Sequence, residues 1–218
     1  MRGRALHPLS AGLLLSLAGC ALLGKSEPLT PRYFSPEAAP PPKADTPAAR
    51  APLREGAELR LGRINAAAYL DERIVFRDSE YELGFYEDRR WTESPEAYLR
   101  RALSRSLFED YGVRRIVSGP GPSLDVELTE FAELKRSPAM ARVRLTYTLS
   151  DDRLVRREAT VSVELPIAAS GTEADAAAQG VRAMSRALSK AVQQIVDQVV
   201  DELRRAPAPH AVTQSQTP

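Results

Sequence analysis

The chain has almost none of the side chains on which most hydrolytic and metal chemistry depends. Its 218 residues hold one cysteine, Cys20, and two histidines, His7 and His210. Both histidines lie outside the stretch patterned for a core, His7 in an N-terminal leader and His210 in a C-terminal tail. Ser-His and Cys-His nucleophilic pairs need an imidazole to accept a proton, and zinc or copper sites lean on imidazole or thiolate. The composition therefore speaks against an enzyme and predicts neither cofactor nor metal. Carboxylate chemistry remains, but the doublets Asp71-Glu72, Glu87-Asp88 and Asp151-Asp152 fall where turns are expected and read as solvated faces. A glycine-rich phosphate loop is also missing. Gly119-Pro120-Gly121-Pro122 is a rigid turn, since proline removes the amide donors that such a cradle uses. With 30 basic and 29 acidic residues there is no charge surplus to favour nucleic acid as a partner.

Long apolar runs are scarce too. Leu9 to Ala18 is too short to span a bilayer as a helix. Arg2 and Arg4 precede it and Leu17-Ala18-Gly19-Cys20 closes it, the three-part pattern of a secretory signal peptide. A small residue followed at once by cysteine resembles the bacterial lipobox, which predicts cleavage of residues 1–19 and acylation of Cys20. Ala21 stands where many Gram-negative inner-membrane lipoproteins carry aspartate, so the expected location is the periplasmic face of the outer membrane. One acyl chain binds a membrane only marginally, whereas several hold permanently. Loss of Arg2 and Arg4 leaves 28 basic residues against 29 acidic ones.

Residues 20–57 read as a lipidated N-terminus and tether. Eight of the 17 prolines fall between Lys25 and Pro52, and proline-rich chain extends about 3.1 Å per residue, so Pro36 to Pro52 reaches roughly 50 Å. Tyr33-Phe34, inside this stretch, suits either an edge strand or a headgroup-level contact. Residues 58–205 carry the folded domain. Leu59, Leu61 and Ile64 alternate with outward Arg60 and Arg63, a first strand. Ile74–Phe76 and Tyr81–Tyr86 flank a polar turn and predict a hairpin. Ser94-Pro95 opens a helix with apolar residues at helical spacing to Leu107, ending near Gly112. Leu124-Val126-Leu128, Val143–Leu149 and Val155–Leu165 alternate as three consecutive antiparallel strands, with a phase slip between Leu128 and Phe131 that predicts a bulge. Thr172 to Arg205 carries Val181, Met184, Leu188, Val192, Ile195, Val199 and Leu203 on one stripe, a long helix covering the sheet. The expected fold is α+β, a mostly antiparallel sheet under two helices. Residues 206–218 are expected to be a disordered tail.

Leu59-Arg60-Leu61-Gly62-Arg63, Ala68-Tyr69-Leu70-Asp71, Ile74-Val75-Phe76-Arg77 and Arg90-Trp91, in that order before the first helix, resemble the ABC-type transport auxiliary lipoprotein family. The tether is longer and richer in proline than in that family, and Glu93-Ser94-Pro95 departs from its usual residues after tryptophan. The resemblance implies a domain similar to the N-terminal domain of the Tol-system propeller protein, without catalytic residues. It also implies association with an ABC transporter and with MCE-domain proteins that move lipid across the periplasm, and so a role in membrane integrity. A homo-oligomer is compatible with it, and a structural adaptor in envelope assembly is the alternative. Tyr69, Arg77, Tyr86 and Trp91 are the candidate partner-binding residues, because large amphipathic side chains and a planar cation concentrate binding energy. The bland alternative puts Trp91 under the first helix and Arg77 on a local acid.

Overall fold

The computed structural model describes residues 29–36, 57–151 and 154–205. The chain divides into a unit of residues 1–30 and a unit of residues 31–218, and every element below belongs to the second. The signal peptide, Cys20, most of the proline-rich tether and the tail from residue 206 lie outside the described residues.

Among the described residues eight strands form one sheet: β1 (Arg32–Phe34), β2 (Glu58–Ala66), β3 (Arg73–Arg77), β4 (Leu83–Trp91), β5 (Arg114–Arg115), β6 (Ser123–Leu134), β7 (Met140–Ser150) and β8 (Val155–Pro166). Two helices, α1 (Pro95–Ser104) and α2 (Glu173–Arg205), pack on one face, and a π-helical turn, Arg105–Asp110, prolongs α1. The 12-residue β6 organises the sheet. One edge pairs antiparallel with β7 along its whole length, and β7 pairs antiparallel with β8. The other edge is shared, with β2 running parallel beside Leu61↔Leu124 to Ala66↔Leu128 and β3 running parallel beside Val75↔Ala132 to Arg77↔Leu134. The hairpin partner β4 then carries β1 in parallel on its far side.

The sheet is therefore mixed, which corrects the expectation of a mostly antiparallel one. Alternation reports which face of a strand is buried and is blind to the direction of its neighbour. The β2-to-β6 connection contains the β3–β4 hairpin and α1, long enough to return the chain in parallel, as such crossovers require. The hairpin, the antiparallel β6–β7–β8 run and the long helix are where the sequence pattern put them. Tyr33 and Phe34 form an edge strand, with Phe34 opposite Trp91.

Helix starts and stops follow local chemistry. Pro95 occupies the first turn of α1, where its missing N–H is no loss. Beyond the π-helical turn the Tyr111 N–H reaches the Ser106 carbonyl at 3.0 Å, and Gly112 takes φ +69°, a left-handed conformation that suits glycine. At the start of α2 the Thr172 hydroxyl accepts the Asp175 N–H at 3.2 Å and donates to the Asp175 carboxylate at 2.7 Å, a cap that fixes the entry of the chain. The α2 stripe, including Val181, Met184, Leu188, Val192, Ile195, Val199 and Leu203, is buried against β6, β7 and β8. On the sheet side Leu124, Leu128, Phe131, Leu145 and Leu149 are fully buried. Tyr147 reaches up to donate its hydroxyl proton to Gln198 of α2 at 2.8 Å.

Candidate functional site

The phase slip in β6 creates the most polar place in the fold. Pairing shifts between Leu128 and Glu130, so Leu124, Val126, Leu128, Phe131 and Glu133 face the helices while Glu130 and Ala132 face the opposite, open side. Across from them, Arg144 lies opposite Glu130 and Arg142 opposite Ala132 on β7, and Glu164 lies opposite Arg142 on β8. Arg77 arrives from the end of β3. Glu130 is 2% exposed and has three guanidinium groups on it: Arg77 Nε at 2.9 Å, Arg144 Nη1 at 3.3 Å and Arg142 Nη1 at 3.4 Å. Arg142 also donates to Glu164 at 2.7 Å, and Arg136 pairs with the same carboxylate. Burial pushes the Glu164 carboxyl up, but Arg142 and Arg136 outweigh it and hold it below the ordinary range.

Tyr69 completes this cluster. Its hydroxyl donates to the Thr129 carbonyl at 2.7 Å, and its pKa is raised, chiefly by burial. Four guanidinium groups thus meet two carboxylates on one open face. A buried carboxylate holding planar forks in place leaves their outward N–H groups aimed and pre-ordered, which suits an anionic group on a partner.

The other two candidates lie elsewhere. Trp91 is 1% exposed, stacked on Phe131 with centroids 5.0 Å apart and edge-on to Tyr98 of α1 at 6.5 Å. Tyr86 sits on the helix-facing side, donating to Glu133 Oε2 at 2.7 Å beneath the Arg89 guanidinium, which lies 3.9 Å from its ring centroid. Burial pushes the Tyr86 hydroxyl far up, with the Glu133 charge adding to the rise. Burial likewise raises Glu133, against the opposing pull of Tyr86, Arg89 and Lys135. Gly180 of α2 leaves the room this carboxylate occupies, since a Cβ there would stand 1.9 Å from Glu133 Oε1. The four residues singled out in sequence therefore separate into an open-face pair, Tyr69 and Arg77, and two packed on the helix side of the sheet.

Glu130 escaped the sequence reading, and Arg142 and Arg144 fall on the outward positions of an alternating strand, where nothing in the segment itself marks them. The signal was present: two glutamates three residues apart, in Glu130-Phe131-Ala132-Glu133, interrupt a strand that is otherwise buried at its C-terminal end. A groove of about 840 Å³ also runs along α1, lined by Arg105, Arg115, Leu188 and Val192 among others. Pro36, where the undescribed stretch 37–56 begins, borders it. Among the described residues no group of histidine, cysteine or carboxylate side chains is arranged to hold a metal, and no helix is long and apolar enough to cross a membrane.

Comparison with known families decides what kind of domain carries this face, because the family model for the ABC-type transport auxiliary lipoprotein component matches residues 38–200. The chain belongs to that family. No curated protein matches it. Among solved structures, the family member resembles a Xanthomonas campestris protein of a family of unknown function, with a TM-score of 0.64 and 20% identity over 78% of this chain and 96% of the other. An uncharacterized protein follows, with a TM-score of 0.58 and 14% identity over 78% of this chain and 99% of the other. A minor lipoprotein from Acinetobacter baumannii matches at a TM-score of 0.43 and 14% identity, over 67% and 94%. At these identities the likeness concerns the fold. The matched family is an auxiliary lipoprotein component of ABC-type transport, and no enzymatic family is indicated.

Proposed function

We propose that this auxiliary lipoprotein is anchored by acylated Cys20 to the periplasmic face of the outer membrane and docks the MCE-domain component of an ABC-type intermembrane transport system. The cargo of such a system is lipid, and its loss weakens the envelope. The observation that carries the reading is the family match, which spans nearly the whole described domain. The lipobox at Leu17-Ala18-Gly19-Cys20 supports the anchor, and Ala21 supports the outer membrane as its destination. Tyr69 and Arg77, on the arginine cluster of the open sheet face, supply the docking contact. Such a contact does not have to be strong: tethering to one membrane raises effective concentrations into the mM range, so several weak contacts made together suffice.

One experiment tests anchor and partner together. Full-length protein is purified in detergent from cells fed a labelled fatty acid and probed for the MCE-domain and ATPase components of the same organism. The expected result is label on the wild-type chain, loss of label with Cys20→Ala, and co-purification of the MCE-domain protein with the wild type. Label retained on Cys20→Ala contradicts the anchor. Transporter components absent from every preparation contradict the docking role and favour a structural adaptor.

A further inference from the structure

We propose that two copies of the domain join edge to edge through β8, antiparallel, with Thr160 at the two-fold axis. This goes beyond the docking role, since it rests on the free edge of β8, where the open sheet face ends.

Among the described residues β8 pairs with β7 alone, so its other edge presents unpaired backbone N–H and C=O groups along 12 residues. Natural edges are normally blunted by brevity, charged side chains, proline, bulges or twist, and this one carries charges of both signs, Arg156 and Arg157 with Glu158 and Glu164. From Arg156 to Leu165 this edge has no proline and no glycine, and its register with β7 runs unbroken from Leu149↔Arg157 to Ala141↔Leu165. Behind it the sheet packs on α2, with Val161 and Val163 buried, so the strand is held in place by the core.

The occupant that fits is a second copy, because the open-face side chains are self-complementary in one register. Arg156, Glu158, Thr160, Ser162 and Glu164 share that face. Antiparallel pairing about Thr160 sets Arg156 opposite Glu164, Glu158 opposite Ser162, and Thr160 opposite its counterpart. On the covered side Ala159 meets Val161. Parallel pairing in register would set Arg156 against Arg156 and Glu158 against Glu158, and like charges directly opposite are destabilising. Pairing about Val161 would set Glu158 against Glu164. Thr160 already approaches Thr146 of β7, with hydroxyl oxygens 3.1 Å apart, so the junction extends a threonine row across both copies. Arg156 pairs within its own chain with Asp151, and Glu164 with Arg142 and Arg136, so the charges select the register while the backbone ladder supplies the association.

The test uses full-length protein in native membranes and in detergent. Facing residues of an antiparallel pair lie about 4.5–5.5 Å apart between Cα atoms, within disulfide reach. Mild oxidation of Thr160→Cys should therefore give a covalent dimer. In the same arrangement two Glu164→Cys positions lie about 27 Å apart, eight residues at ~3.4 Å each, and stay uncross-linked. Thr160→Lys, exposed and so compatible with folding, should weaken dimerisation about tenfold by setting two cations face to face. Unmodified protein should sediment in detergent as a dimer at high micromolar concentration. A monomer there overturns the proposal, as does absence of a Thr160→Cys cross-link in folded protein. A cross-link through Glu164→Cys overturns it in favour of another register or partner.

Discussion

Replacing Glu130 by glutamine tests whether the open-face cluster is held by one buried charge. Three guanidinium groups lie within 3.4 Å of this carboxylate, and its side chain is 3% exposed. Removing one partner of a fully buried pair costs about 3–5 kcal/mol. Here the arginine side chains are 18–44% exposed and regain water, so the figure is discounted to about 2 kcal/mol. For a domain of this size about 2–4 °C of melting temperature accompanies each kcal/mol, so Glu130→Gln should melt about 4–8 °C below the wild type. The control is Glu93→Gln, which removes the Glu93–Arg101 pair, 2.7 Å long and about half exposed on both sides. It should lower the melting temperature by less than about 2 °C. Raising salt should erase that small effect and leave the Glu130 effect in place, because buried pairs are screened little. Circular dichroism melts of the full-length variants in detergent provide the readout. A Glu130→Gln protein melting within about 1 °C of the wild type, on the same calibration, refutes the idea that this charge organises the face.

Two further predictions concern the helix side of the sheet. Burial raises the Glu133 pKa in the folded state, so its charge opposes folding, and the domain should lose stability as pH climbs from the unfolded carboxylate value of about 4.3 through the raised folded value. Glu133→Gln lacks this titration, so its stability relative to the wild type should rise across that interval in denaturant titrations at stepped pH; a difference that is flat with pH contradicts the assignment. Gly180→Ala gains about 1 kcal/mol of helix propensity but drives a methyl into a carboxylate held by Tyr86 and Arg89, a strain of about 1–3 kcal/mol. It should destabilise the wild type and become neutral or stabilising in a Glu133→Ala background, and equal effects in both backgrounds would place the clash elsewhere.

Much of this architecture is legible because side-chain periodicity reports burial directly. The α2 stripe is continuous over six turns, and β7 alternates without a break, so both stand out from their neighbours. The β6 bulge shows as a slip between Leu128 and Phe131. Strand direction does not show, because β2 and β3 would carry the same alternation beside an antiparallel neighbour. The site is legible only in part for a related reason. Arg77 and Tyr69 stand out by residue type, but the glutamate that gathers Arg77, Arg142 and Arg144 is placed by the register of three strands, which no single segment encodes. Trp91 stood out by type as well, and only the packing of Phe131 and Tyr98 around it assigns it to the core.

The most direct test of the docking claim is photo-cross-linking in living cells that make the full-length lipoprotein. A photoreactive phenylalanine analogue replaces Thr148, on the open face four residues along β7 from Arg144, or Arg186, exposed on the outside of α2. The account predicts an adduct with the MCE-domain protein from position 148 and none from position 186, with the adduct from 148 weakened by Arg77→Glu in a chain that still melts cooperatively. An MCE adduct formed only from position 186, or an adduct from 148 that Arg77→Glu leaves unchanged, contradicts the open sheet face as the docking surface.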